Sequence, residues 1–288
     1  GIVRAFAGPV FNVLLALIVP RPTLQNATTW NQGTWLTASV SGHALGGLCI
    51  AVAGISGTWL FICGGMILSL LFLTRLKPKP SLNLHNEKKT WESVKEGIRF
   101  VMKTKDLLGA MTLDMFAVFF GGAVAMVPVY ASDILKVGPE GFGILNGAAD
   151  MGSIFSVILL TLFPMKRNQG RRLIIAVSGF GLCIIVFALS KYFLLSFLAL
   201  MLSGILDGIS VVIRGTIMQL KTPDEMRGRV LSVNSMFVNS SNELGQFESG
   251  LMAKIMGVIP SVVFGGCMTA FIAVATWVKS PPLRKLEY

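Results

Sequence analysis

The chain has 288 residues, of which 53% are hydrophobic and only 14% charged, and its mean hydropathy is +0.70. Soluble domains carry roughly 25% charged residues, so a water-soluble enzyme or binding module is excluded as a class. The net charge of +11 does not point to nucleic acid, because the basic residues fall in short loops between apolar blocks, where they act as topology signals.

The apolar blocks have the length, about 18–25 residues, that a hydrocarbon core of about 30 Å demands of a helix. They lack period-two alternation, which leaves helices rather than barrel strands as the spanning element. In chain order about nine spans are predicted, near 1–19, 32–53, 58–75, 108–131, 141–164, 173–190, 192–219, 230–256 and 260–278. Alternate crossing puts Lys136, Lys191 and Lys254 on one side and Arg4 and Arg214 within spans, and collects every other basic residue on the opposite side. The basic side is the expected cytoplasmic side, which places Tyr288 inside and Gly1 at or near the outer face. The chain opens within an apolar run, without the charged region that begins a cleavable signal, and reads as a piece starting partway through a span. Cys49, Cys63, Cys183 and Cys267 each lie inside an apolar block without metal or disulfide spacing, as small buried hydrophobes do. No metal or cofactor is expected.

The longest loop, 76–107, is predicted to separate a three-span N-terminal bundle (1–75) from a six-helix C-terminal bundle (108–288). It begins with the stiff run Lys77-Pro78-Lys79-Pro80 and continues into an amphipathic helix. Thr90 can cap that helix, with Trp91, Val94, Ile98, Val101 and Met102 on its apolar face and Lys95, Arg99, Lys103 and Lys105 on the other. Such a helix lies on the inner leaflet or serves as a solvated linker.

Gly1-Ile2-Val3-Arg4-Ala5 is similar to Gly204-Ile205-Leu206-Asp207-Gly208, and the same offset pairs Pro20 with Pro223, Asn31 with Asn234, Gly42 with Gly245 and Gly47 with Gly250. A duplicated helix bundle, with substrate bound between the copies, is a common plan for secondary transporters. The duplication leaves the N-terminal copy short by three helices at its front.

With these residues in view the chain resembles the major facilitator superfamily, and within it the bacterial branch of enterobactin-exporter-like permeases and transmembrane secretion effectors. The resemblance is carried by Gln219-Leu220-Lys221-Thr222-Pro223-Asp224-Glu225-Met226-Arg227-Gly228-Arg229-Val230 and by Ser241-Asn242-Glu243-Leu244-Gly245-Gln246-Phe247-Glu248-Ser249-Gly250. Leu113-Asp114 through Ala117, Val127-Pro128-Val129-Tyr130-Ala131, and Val19-Pro20-Arg21 followed by Thr29-Trp30-Asn31 add to it. It implies an all-α integral membrane protein holding spans four to twelve of twelve. The implied activity is proton-coupled export of a small molecule across a bacterial cytoplasmic membrane, by a transporter that is monomeric when full length. Two departures stand out. The fifth span reads Gly42-His43-Ala44-Leu45-Gly46-Gly47 where family antiporters have a Gly-Pro pair. The basic loop Lys166-Arg167-Asn168-Gln169-Gly170-Arg171-Arg172 lacks the family's Asp, so it is either a gate without its charge relay or a topological anchor.

A charged side chain within a span costs at least about 2.5–3.5 kcal/mol and needs a partner or a wet cavity. Asp114, Asp207, Arg214, Asp150, Glu243 and Glu248 fall within predicted spans, and Arg4 holds the repeat position of Asp207. The resemblance places Arg4, Asp114 and Asp207 on the spans that line the family's central cavity. Asp207 is thus a candidate for proton or cation coupling with Arg4 facing it, or else half of a static ion pair. Arg214, seven residues beyond Asp207 on the same face, is expected to snorkel to the cytoplasmic interface. Asp150 faces either a cavity or the outer headgroups. Ser235, Asn239, Asn242, Gln246 and Ser249 form one stripe, expected to hydrogen-bond another helix, beside Glu243, a second candidate for titration during transport, and Glu248. Thr222-Pro223-Asp224-Glu225 has the spacing of a capping box opening a short helix at the cytoplasmic mouth, with Arg227, Gly228 and Arg229 at the headgroups or in a gate.

Two rival classes are weighed. Gly54-Ile55-Ser56-Gly57 matches an intramembrane serine-protease motif, but the histidines, His43 and His85, are poorly placed to serve Ser56 as a base. A non-transporting subunit or truncated remnant is the other, since alternating access needs two bundles.

Overall fold

The computed structural model describes residues 24–75, 90–163 and 168–287, and among these every regular element is helical. The chain divides into two compact units, Gly1–Asn86 and Glu87–Tyr288.

In the first unit, α1 (Leu24–Thr74) carries apolar residues around its whole circumference from Val52 to Leu73, the pattern of a helix surrounded by lipid or protein. It leaves helical geometry at one residue, Gly54 (φ 66°, ψ −178°), where two helices meet. That backbone conformation is open to glycine and strained for residues with a Cβ. The break falls where the sequence separates the predicted spans 32–53 and 58–75, but no loop intervenes. The predicted span 1–19 lies outside the described residues.

The second unit begins with α2 (Thr90–Lys103) and α3 (Lys105–Phe120), joined at Thr104. Beyond Phe120 the predicted span does not continue as regular helix. Gly122–Met126 is a 3-10 segment, Val127–Val129 an α-turn, and Tyr130–Ile134 a π-segment whose ladder is continued by Leu135 N donating to Tyr130 O at 2.8 Å. Pro128 explains the disturbance, because it lacks the N–H that a regular ladder needs. Tyr130 holds the segment in place: its ring packs on Phe187 and its hydroxyl donates to Ala188 O at 2.7 Å.

The remaining helices are α4 (Pro139–Leu162), α5 (Gln169–Leu189), α6 (Phe193–Lys221), α7 (Asp224–Met256), α8 (Val258–Lys279) and the short α9 (Pro281–Arg284). Five helices among the described residues are long and apolar enough to cross a membrane: Leu45–Thr74, Pro139–Leu160, Gln169–Leu189, Phe193–Lys221 and Val258–Lys279. The predicted span at 230–256 lies within α7, whose many polar residues lower its hydropathy. No separate short helix opens it. Pro223 occupies the cap position rather than the first helical turn, no side-chain cap bond forms, and the Thr222 hydroxyl is buried without a partner. The expected capping box is therefore absent.

Within this unit α4 packs on α6, α6 on α5, α5 on α8, and α8 on α3 and α7. The α4–α6 crossing is close because its facing residues are small. A Cβ on Gly204 would overlap the Ala149 carbonyl oxygen, one on Gly208 the Ser156 hydroxyl, and Ser153 Oγ donates to Gly204 O at 3.1 Å. Small residues spaced in this way are the usual means of bringing spanning helices together. Two apolar clusters result. One gathers Leu107, Leu173, Ile217, Val230, Leu283 and Leu286, and the other Tyr130, Leu145, Ile184, Phe187 and Leu200.

The amphipathic helix α2 joins this unit instead of standing apart as a linker. Val101 is buried in the first cluster, with Ile98 and Phe100 packed against it. Met102, expected on the same apolar face, is exposed.

Candidate functional site

A group of charges lies among residues of the first apolar cluster, beside Leu113, Ala117, Ile213 and Ile217. Asp207 and Arg214 are seven residues apart on α6, about two turns, so they share a face. Asp114 approaches from α3. The Arg214 guanidinium pairs with the Asp114 carboxylate, and their side chains are only 8% and 5% exposed. Its second terminal nitrogen stands 3.9 Å from the Asp207 carboxylate, which is 45% exposed, and its Nε donates to the Ser210 carbonyl at 3.2 Å. The guanidinium thus addresses its own backbone, a sealed carboxylate and an open one from three different nitrogens. A buried pair of this kind holds only when its remaining hydrogen-bonding capacity is met, since breaking it leaves an unpaired charge away from water. The Ser210 carbonyl answers part of that demand.

Arg214 therefore does not snorkel. Asp114 gives it a partner at its own level, and a sealed aspartate left alone there would be costly. A second tie between the same helices, Lys221 to Asp106 at 3.3 Å, lies nearer the helix end and is more exposed.

Beside the charges is a cavity of about 20 Å³ lined by Asp114, Ala117, Val118, Val177, Phe180, Leu206, Asp207 and Ser210. It has room for about one water and is far below the roughly 300–1,000 Å³ of a small-molecule pocket. The arrangement can bind or pass a proton or a water. It does not enclose an organic substrate.

Arg4 and Arg167 lie outside the described residues, as do the side chains of Asp224 and Arg227. Glu243 is exposed on α7, while Glu248 and Asp150 are half-buried. Among the described residues the polar stripe of α7 does not form the expected packing face. Ser235, Asn239, Asn242 and Gln246 are exposed, and only Ser249 is buried. α7 instead packs through Val230, Val233, Ser241, Gly245 and Ser249, because the small residues permit a close approach to α3 and the segment after it. An exposed row of amides and hydroxyls cannot face hydrocarbon.

In the basic loop Gly170 is buried beneath the last turn of the chain. A Cβ there would overlap the Leu283 carbonyl oxygen, and its N–H donates to Leu286 O at 3.2 Å. The Asn168 N–H donates to Glu287 Oε1 at 3.2 Å, while Arg171 and Arg172 are exposed. Arg229 pairs with Glu96 of α2, and Gly228 is exposed with open space around it. Sequence reasoning missed Glu96 and the strap formed by Leu283 and Leu286. Their spacing of three after Pro281-Pro282 was the available signal. Among the described residues no group of three or more His, Cys, Asp or Glu could hold a metal ion.

The family model described as Major Facilitator Superfamily matches residues 1–246. The enterobactin exporter EntS of Shigella dysenteriae serotype 1 is 26% identical over 252 residues, 86% of this chain and 59% of that protein. Its counterpart in Shigella boydii serotype 18 is 24% identical over 273 residues, 94% of this chain and 64% of that protein. The chain thus spans about three fifths of the length of these relatives. A bacterial homologue of the human lysosomal transporter Spinster, solved in an inward-facing, unoccupied conformation, shares the fold with a TM-score of 0.72 at 15% identity, over 97% of this chain and 75% of that one.

Proposed function

The chain belongs to the Major Facilitator Superfamily, and from that premise we propose that it forms part of a proton-coupled exporter of a small molecule in the bacterial cytoplasmic membrane. It is a multi-pass membrane protein. The basic loops and Tyr288 face the cytoplasm, as the distribution of Lys and Arg favours. The protein acts as a monomeric carrier and performs no covalent chemistry on its cargo.

The observation that carries the coupling is the buried Asp114–Arg214 pair with the half-open Asp207 beside it. Charges within spans are costly, are kept facing the protein interior or a wet cavity, and mark ion and proton pathways. The exposed amides and hydroxyls of α7 support a water-filled passage alongside, since that face cannot rest against lipid. Glu243, exposed on the same helix, is a secondary coupling candidate.

The first cargo to test is enterobactin, which the similar exporters are named for. The protein as the cell makes it is reconstituted into vesicles with an imposed pH gradient. Asp207→Asn is expected to abolish gradient-driven transport and leave substrate exchange intact. Undiminished gradient-driven transport in that variant removes Asp207 from the coupling step.

A further inference from the structure

We propose that an anionic phospholipid docks where the C-terminal strap crosses beneath α5, its phosphate held among Arg171, Arg172, Arg284 and Lys285, and that this lipid keeps the strap seated.

The level of the site follows from the two helices that meet there. On α5 the exposed Ile175, Leu182 and Leu189 recur every seven residues, and on α8 the exposed Phe271, Val274 and Val278 follow at spacings of three and four. Each helix therefore turns one apolar stripe outward. Arg171 and Arg172 stand four and three residues before Ile175, so they carry the α5 stripe one turn further as exposed cations. On α8 the change comes at once, with the exposed Lys279 directly after Val278. Both helices are long and apolar enough to cross a membrane, and a change from apolar to cationic at their ends marks the headgroup level. Trp277, in the last turn of α8, is a residue type that collects there.

The strap itself has two faces. Leu283 and Leu286 are buried in the first apolar cluster, whereas Lys285 is exposed and the Arg284 guanidinium lies 5.6 Å from the centroid of the Trp277 ring. Its seat brings these cations to those of α5. The Gly170 N–H donates to Leu286 O at 3.2 Å, and Gly170 lies so close to Leu283 O that a Cβ has no room. Arg171 and Arg172 thus follow directly on a residue that touches the backbone on both sides of Arg284-Lys285. Nearby carboxylates are engaged: Glu287 accepts from the Asn168 N–H, Asp106 pairs with Lys221, and Glu96 pairs with Arg229.

Basic clusters beside a leaflet attract anionic lipid, and the planar fork of arginine matches a phosphate. A soluble anion would meet the same cations but leave Ile175 and Val278 bare, whereas acyl chains cover them. The phosphate ties α5 to the strap from outside while the leucines hold it from inside. α3 and α5 touch each other sparingly, so the strap between them depends on that grip.

The test is hydrogen exchange at the Gly170 and Leu286 amides of the full protein, in bilayer discs of phosphatidylcholine alone or with phosphatidylglycerol. Each cation beside an anionic surface contributes about five-fold in affinity. Phosphatidylglycerol is expected to slow exchange at both amides by about five-fold or more. Arg171→Gln/Arg172→Gln is expected to lose most of that protection, although neither arginine belongs to the strap. In phosphatidylcholine alone this variant and the wild type are expected to coincide, which separates a lost lipid from a damaged seat. Arg99→Gln/Lys103→Gln, exposed on α2, removes equal charge and is expected to keep the protection. Equal exchange in the two lipids overturns the proposal, and so does an equal loss in the α2 variant, which would mean a diffuse surface potential. Inorganic phosphate that slows exchange in phosphatidylcholine discs would make the occupant a soluble anion and overturn the lipid assignment.

Discussion

The α4–α6 crossing allows a prediction whose size can be worked from the geometry. A methyl group at Gly204 would stand 2.6 Å from the Ala149 carbonyl carbon and 2.8 Å from its Cα, where ordinary contact begins at 3.4 Å. Clearing the carbonyl carbon alone would part the helices by about 0.8 Å, and the overlapping carbonyl oxygen demands more, which a close-packed interior resists. The obstruction is backbone on both sides, so no rotamer change relieves it. Overpacking of this kind costs about 1–3 kcal/mol, and the upper end applies here. Separation also strains the Ser153–Gly204 hydrogen bond of 3.1 Å, a bond worth on average about 0.6 kcal/mol between spans. Against these, replacing a helical glycine by alanine gains up to about 1 kcal/mol. The net expectation for Gly204→Ala is a loss of about 2–3 kcal/mol. Gly215, on the same helix, has nothing within 4 Å of a Cβ position, so Gly215→Ala keeps the propensity gain alone. Gly208→Ala should fall between, because the atom it meets is the movable Ser156 hydroxyl. The full chain in mixed micelles, unfolded by increasing dodecyl sulfate and followed by tryptophan fluorescence, gives all three values. If Gly204→Ala and Gly215→Ala unfold at the same detergent fraction, the close crossing does not hold the helices as described.

Two further outcomes are expected from the ends of the bundle. Leu283→Ala removes a fully buried side chain and should cost about 2–5 kcal/mol, read as a lower unfolding midpoint and faster proteolytic cleavage within residues 280–287. Unchanged cleavage would mean that the strap is held by its backbone bonds alone. Glu96→Gln breaks a pair whose partners are 30% and 33% exposed; such a pair is worth at most about 1 kcal/mol. Its small effect should fade in high salt.

Helicity and the apolar blocks could be read from the sequence because each depends on local composition. The predicted boundary between residues 53 and 58 fell at the Gly54 break, but hydropathy did not show that the helix runs on through it without a loop. The partner of Arg214 was not. Asp114 is distant in sequence, and depth along the helix suggested an escape to the interface that its fold-given partner makes unnecessary. The α7 stripe was recognised as polar, but periodicity identifies a face without saying what lies opposite. There the small residues Ser241, Gly245 and Ser249 decided the packing face, and the amides were left outward. The Thr222 motif failed for a local reason: Pro223 took the cap position, so the threonine hydroxyl stands one residue too early.

The strap beneath Gly170 has a consequence for how the molecule is made. Leu283 and Leu286 share an apolar cluster with Leu107 and Leu173, yet they leave the ribosome after every helix they join. Until they arrive, the near ends of α3 and α5 stand in the membrane with an unfilled wedge between them. A chain cut short at Lys279 would hold all of these spans and still lack their seal. The order of synthesis therefore places closure of this end after the helices that it joins, performed by a few residues that follow α8.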